Sequence, residues 1–173
     1  MVNHDCRECF EEKTATLKNP YCFSDCGLPN VLLVGIKYRV CKICGKKAAD
    51  IPSVKNLMVA LARAVVQGDA PLTGPEIRFL RKRLGYQSAE LAGLAGVTPE
   101  QVSRWEHDRN RPEKSADKLI RMAYCQLSGD RELKEKFEKH IAVWLPAWAR
   151  DGQLSEIRAK IRNREWETEL VLA

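Results

Sequence analysis

Gln87-Ser88-Ala89-Glu90-Leu91-Ala92-Gly93-Leu94-Ala95-Gly96-Val97-Thr98-Pro99-Glu100-Gln101-Val102-Ser103-Arg104-Trp105-Glu106 reads as two short helices joined by a tight turn. Leu91, Ala92 and Leu94 give the first helix a small apolar face. Gly96 supplies the turn, because a positive φ costs glycine little. Thr98 suits the N-cap, Pro99 the first helical position, and Glu100 falls in the first turn. Val102 and Trp105 lie three apart and face inward together. Glu100, Gln101, Ser103 and Arg104 are then left largely outward. A helix that hides Val and Trp while showing Gln, Ser and Arg suits the DNA major groove, with Arg104 and Gln101 as the leading base readers.

The flanks extend this unit. Thr73 caps a helix that carries Pro75 in its first turn, and Ile77, Leu80 and Leu84 form its core face. Arg78, Arg81, Lys82 and Arg83 make that helix strongly basic. After the second short helix, His107-Asp108-Arg109-Asn110-Arg111-Pro112 is a polar loop, and Arg109, Asn110 and Arg111 are placed to contact phosphates beside a groove. Ser115 to Leu127 returns to helical spacing through Ala116, Leu119, Ile120, Ala123 and Leu127, which predicts a helix covering the core of the pair.

The segment Leu72–Tyr124 resembles a lambda-repressor/Cro-type (XRE-like) helix-turn-helix domain. Leu91-Ala92, Gly96-Val97, Val102-Ser103-Arg104-Trp105-Glu106 and Pro112 carry the resemblance. It implies that Ala92 lets the two helices cross closely. The family often has Ser-Gln where this chain has Gln87-Ser88, so Ser88 occupies the usual phosphate-contacting position.

Seven cysteines are distributed unevenly along the chain. Cys6-x-x-Cys9 and Cys41-x-x-Cys44 are separated by 31 residues, and Gly45 follows the second pair. Two residues between thiolates let a tight knuckle aim both sulfurs at one ion, and two knuckles complete a closed tetrahedral site. The expectation is a structural Zn2+ held by Cys6, Cys9, Cys41 and Cys44. Cys22-x-x-x-Cys26 and His4 are further potential ligands, and Cys125 reads as core. An odd count and the absence of a secretory leader pattern argue against a disulfide framework.

Lys13–Leu17 and Val31–Val40 look like short strands, punctuated by Gly27, Pro29, Asn30 and Gly35. Val54, Leu57, Met58, Leu61 and Val65 follow helical spacing behind Ser53, which reads as the cap. Gln67-Gly68-Asp69-Ala70-Pro71 reads as a linker. In the tail, Leu133, Phe137, Ile141 and Trp144 form one helical stripe ended by Pro146, with Trp148 near an exposed turn. Leu154, Ile157 and Ile161 suggest another short helix, and Trp166–Leu172 alternates as a strand. The tail has two readings: packing on the chain's own core, or a dimer or partner surface.

The two units together resemble the MqsA/YgiT-type family of antitoxins and regulators. That resemblance covers roughly residues 6–125 and implies a protein-binding N-terminal zinc domain, which a toxin or another protein would occupy. It also implies a helix-turn-helix half that dimerises on an operator. Arg104 falls on the family's DNA-contacting arginine, and Glu100 stands where the family can carry a second base-contacting residue. The tail and the extra thiols Cys22 and Cys26 depart from the pattern.

The fold expected is mostly α. Residues 1–67 form a small α+β zinc-binding domain and 68–72 a linker. Residues 73–128 form an all-α lambda-repressor-like helix-turn-helix domain, and 129–173 a helical extension ending in a possible strand. The function expected is a sequence-specific repressor, autoregulating and antitoxin-like, binding double-stranded DNA as a homodimer. Two other classes fit parts of the chain: an interaction adaptor whose helix-turn-helix no longer binds DNA, and a thiol or zinc enzyme.

Composition agrees with these classes. The 173 residues are 45% apolar and 30% charged, with net charge +6. Residues 1–52 carry 8 basic and 6 acidic groups, 53–72 carry 2 and 1, 73–128 carry 10 and 7, and 129–173 carry 9 and 9. The excess therefore lies forward of a neutral tail, which suits phosphate binding in front and protein contact behind. No apolar run is long enough to span a membrane, so a cytoplasmic protein without membrane partners is expected. His4, His107 and His140 join no nucleophile or carboxylate pair, and no phosphate-cradling glycine loop is present, so no catalytic residues are assigned.

Overall fold

The computed structural model describes residues 10–147, 154–162 and 165–172. Within them lie six helices and seven strands. β1 (Phe10–Thr14), β4 (Lys37–Cys41) and β5 (Lys47–Ala49) form one antiparallel sheet in the order β1-β4-β5. β2 (Tyr21–Cys22), β3 (Val31–Val34), β6 (Leu154–Arg162) and β7 (Glu165–Leu172) form a second sheet in the order β2-β3-β6-β7. Gly35, at φ 83, turns the chain from β3 into β4. β1 begins and ends earlier than Lys13–Leu17, because Thr16 and Asn19 exchange backbone hydrogen bonds in a turn that leaves Leu17 69% exposed.

β6 corrects the expectation of a helix at Leu154–Ile161. It pairs in parallel with β3, Val31 opposite Ile157 and Leu33 opposite Ala159. Ile157 and Ile161 fit helical spacing as well as strand spacing, and Ala159 between them extends the period of two. Ile157 and Ala159 are fully buried. On the opposite face, β6 and β7 set Arg158 against Glu169, Lys160 against Glu167 and Arg162 against Glu165. These cross-strand pairs suit a solvated surface. The tail thus completes the sheet begun by the N-terminal unit.

α1 (Val54–Gln67) lies against this sheet and buries Leu57, Leu61, Ala64 and Val65 at helical spacing. The indole of Trp166 in β7 donates to the Pro52 carbonyl at 3.2 Å. Ser53 is not the expected side-chain cap: it sits at φ 51 and makes no cap hydrogen bond. A capping serine needs extended backbone. Here the Ser53 carbonyl instead accepts from the N–H groups of Asn56 and Leu57.

α2 (Gly74–Leu84), α3 (Ser88–Ala95), α4 (Pro99–Glu106) and α5 (Lys114–Leu127) follow. The segment between α1 and α2 is packed, with Ala70 8% and Leu72 1% exposed. One hydrophobic cluster runs from Val31, Leu33 and Leu61 through Leu72 to Ile77, Leu80 and Val102. α5 buries Asp117, Ile120, Arg121, Tyr124 and Cys125. The expected core residues Leu119 and Leu127 are 39% and 50% exposed. Turning the polar pair Asp117/Arg121 toward α1 rotates the buried arc by about one position. α6 (Arg131–Ala147) packs Leu133 and Phe137 inward and carries Pro146 in its last turn. Trp148 lies outside the described residues.

Candidate nucleic-acid interface

The turn between α3 and α4 follows from local chemistry. Gly96 takes φ 68, and the Val97 N–H bonds back to the Ala92 carbonyl at 3.0 Å. The Thr98 hydroxyl accepts from the Gln101 N–H at 3.3 Å, and Pro99 opens α4. Gln87 caps α3, with its own N–H donating to the Glu90 carboxylate at 2.6 Å. Thr73 and Glu76 make the corresponding contact at α2, at 2.8 Å. Burial holds the Glu76 carboxyl above the usual range, partly offset by the hydrogen bonds from Thr73.

α4 presents two unlike faces. Val102 is fully buried and Trp105 is 3% exposed. Glu100, Ser103 and Arg104 are exposed, and Gln101 is half-buried at their edge. The Glu100 carboxyl is held below its ordinary value by its own backbone N–H and then by the Thr98 hydroxyl. It therefore offers acceptor oxygens, the type that matches a cytosine amino group. Arg109, Asn110 and Arg111 are exposed in the loop after α4. Gln101, Asn110 and Arg111 line one groove with Trp105 and Ser115. Ser88 is half-buried at the first position of α3, where helix N–H groups have no intrahelical acceptor.

The C-terminal end of α4 is held by α2, a feature the sequence reading missed. Arg81 grips the Glu106 carboxylate through Nε at 2.5 Å and Nη2 at 3.0 Å. Its remaining amine donates to the Tyr86 carbonyl at 2.7 Å. Arg78 donates to the Glu106 backbone carbonyl at 3.1 Å. Gly74 brings α2 so close that an added Cβ would lie 2.5 Å from the Trp105 carbonyl oxygen. Asp108, at φ 52, accepts from the Gly74 N–H at 2.7 Å. The basic run on α2 therefore divides: Arg78 and Arg81 fix α4, and Lys82 and Arg83 stay exposed. The signal available was Glu106 directly after an inward Trp105, facing an arginine-rich first helix.

Residues 77–123 match the helix-turn-helix family model HTH_3. That segment is thus similar to helix-turn-helix domains of the XRE type. That family is one of DNA-binding regulators and is not enzymatic. No curated protein and no solved structure matches the chain. No helix among the described residues is long and apolar enough to cross a membrane.

Of the four expected zinc ligands, Cys6 and Cys9 lie outside the described residues, as does His4. Cys41 is 1% exposed and Cys44 is exposed. The Cys44 N–H points to the Cys41 sulfur at 3.4 Å, the Gly45 N–H bonds to the Cys41 carbonyl at 2.9 Å, and Gly45 has φ 69. Among the described residues, no group of three or more His, Cys, Asp or Glu side chains is placed to hold a metal. Cys22 is exposed, and the Cys26 thiol donates to the Phe23 carbonyl at 3.2 Å. His107 and His140 pair through Nδ1 with carbonyls of their own chain segments, Ser103 at 2.7 Å and Lys136 at 2.9 Å.

Proposed function

We propose that this chain is a sequence-specific repressor that binds DNA upstream of its own gene as a homodimer. The observation that carries the reading is the split of α4: Val102 and Trp105 buried, Glu100, Ser103 and Arg104 exposed. Arg104 and Gln101 read base edges, and Glu100 and Ser103 lie beside them. Ser88, Arg109, Asn110 and Arg111 hold flanking phosphates and set the register. A single eight-residue recognition helix covers few base pairs, and two copies match a symmetric operator.

The N-terminal unit serves in this reading as a zinc-stabilised module for a protein partner, a toxin in the antitoxin-like case. Its support is the Cys41–Cys44–Gly45 turn, which curls a backbone N–H onto a cysteine sulfur as a metal knuckle does. Phe10 pairs with Cys41 across β1 and β4, and Cys9 directly precedes Phe10 in the chain. Four thiolates form a closed site, which suits a structural ion.

Binding of zinc-loaded protein to DNA from upstream of its own gene, titrated at several salt concentrations against scrambled DNA, tests the reading. Selective retention that survives moderate salt supports it. Weak and equal binding to both DNAs contradicts it and leaves the adaptor class.

A further inference from the structure

The cleft between the N-terminal unit and α2 has the size and charge of a ligand site. Its volume is about 400 Å3, within the roughly 300–1,000 Å3 of small-molecule pockets. One wall is cationic, with Arg78 and Lys82 one helical turn apart on α2 and Arg83 next to Lys82. Among the described residues, the one carboxylate lining it is Asp25. Lys82 forms no ion pair among the described residues, and Arg83 donates to the Tyr124 hydroxyl at 3.4 Å. The apolar lining is Phe79, 5% exposed, with half-buried Met58 of α1. The opposite lip is a fixed turn, in which the Gly27 N–H bonds to the Ser24 carbonyl at 2.9 Å.

Two features decide the ligand class. Arg78 is shared with the Glu106 carboxylate at 3.5 Å, but Lys82 and Arg83 face Asp25 alone, so a neutral or cationic ligand leaves positive charge in place and an anion relieves it. Phe79 and Met58 give apolar surface that inorganic phosphate cannot cover and a ring or short chain can. We propose that this cleft binds a small organic anion with an apolar portion, and that its occupancy adjusts the recognition helix through Arg78. The Arg78 guanidinium that faces the cleft also holds the Glu106 carbonyl at the end of α4 and lies 3.5 Å from the Glu106 carboxylate. A bound anion competes for that guanidinium while Arg81 keeps its grip on Glu106. By linkage, the factor by which the anion changes operator affinity equals the factor by which the operator changes anion affinity. The coupling rests on the DNA-binding reading, and the binding does not.

The test is calorimetric titration of the full-length protein, without DNA, using phenyl phosphate, inorganic phosphate and phenol. Phenyl phosphate is expected to bind one per chain, at least about tenfold tighter than either fragment alone, a gap of about 1.4 kcal/mol. Lys82→Glu, at an exposed position, and Met58→Glu are each expected to weaken it at least about tenfold while far-UV circular dichroism stays native. No phenyl phosphate binding at millimolar concentration, or binding unchanged in Lys82→Glu, overturns the site. Upstream DNA is then titrated with and without saturating phenyl phosphate. A changed affinity in the parent protein that is absent in Lys82→Glu supports the coupling. An unchanged affinity in the parent, or an equal loss in both proteins as from added salt, overturns it.

Discussion

Arg121 and Asp117, one turn apart on α5, form an ion pair at 2.6 Å with side chains 1% and 3% exposed. Neither charge is spent on the other alone. The Arg121 guanidinium also donates to the carbonyls of Val65 at 2.9 Å, Val66 at 3.0 Å, Gly68 at 2.5 Å and Ala70 at 2.6 Å. The second Asp117 oxygen accepts from the Leu72 N–H at 2.6 Å. The pair thus satisfies the Val65 and Val66 carbonyls at the end of α1 and fixes the next five residues against α5. What reads as a linker in the sequence is a clamped joint. Removing one partner of such a pair leaves buried polar groups unpaired, so Arg121→Ala is expected to cost about 3–5 kcal/mol. Arg121→Lys is expected to restore little of it, because an ammonium cannot span the same fork of acceptors. Urea unfolding midpoints check both.

Glycines at positions 74 and 93 make opposite predictions. Gly74 has the Trp105 carbonyl oxygen 2.5 Å from its absent Cβ, and Gly93, inside α3, has nothing within 4 Å. Gly74→Ala must push α2 from α4 and is expected to cost about 1–3 kcal/mol, the usual range for overpacking. Gly93→Ala is expected to stabilise by about 0.5–1 kcal/mol through helix propensity. Thermal unfolding of the two variants measures both signs. Equal effects would remove the close approach as the cause.

The tail helix is anchored by acid-sensitive contacts. Arg63 of α1 holds the Asp130 carboxylate at 2.7 Å through both Nε and Nη2, and reaches Glu132 at 2.5 Å. Burial raises the Asp130 pKa, but the Arg63 hydrogen bonds, the Leu133 N–H and the guanidinium charge outweigh it and the net shift is downward. The hydrogen bond from Lys136, followed by smaller contributions from Arg63, also lowers Glu132. Groups lowered on folding contribute stability above their unfolded values, 3.8 for Asp and 4.5 for Glu, and lose it as pH falls through the folded ones. Glu76 is raised from 4.5 and works in the opposite sense, favouring the fold on acidification. Urea midpoints measured from pH 7 to pH 3 are expected to fall more steeply for the parent protein than for Arg63→Met. Parallel curves would contradict the anchor.

Thiol chemistry separates the proposed zinc site from the core. Cys125 is 1% exposed, and burial pushes its thiol up to about 12. Iodoacetamide at pH 8 is expected to alkylate exposed Cys22 in the native protein and to leave Cys125 unmodified until unfolding. One zinc per chain, lost in Cys41→Ser or Cys44→Ser together with thermal stability, is the result expected by metal analysis. Native protein that carries no zinc, and alkylates freely at Cys44, would contradict the four-thiolate site.

Local signals carried the helix-turn-helix into view. Gly96, Thr98 and Pro99 fix a turn and a helix start within four residues, and Val102 with Trp105 sets the buried face. The misses are long-range. Ile157 and Ile161 fit two periods, and only pairing with β3, more than a hundred residues earlier, settles the choice. Arg81 reads as part of a basic helix face, and nothing near Arg121 in the chain points to the carbonyls of α1. Helical spacing turns Leu119 and Leu127 inward, and the Asp117/Arg121 pair overrides it. Ser53 has the right side chain for a cap and the wrong backbone.

The most direct test of the DNA-reading claim compares the parent protein with Arg104→Ala on upstream DNA at one fixed salt concentration. Arg104 is exposed on α4, so its removal leaves Val102, Trp105 and the Glu106 contacts in place. Loss of about 1–3 kcal/mol on the specific site, with binding to scrambled DNA nearly unchanged, is the result expected of a bidentate base contact. Equal affinity of the two proteins for the upstream DNA, with the variant folded, would contradict it.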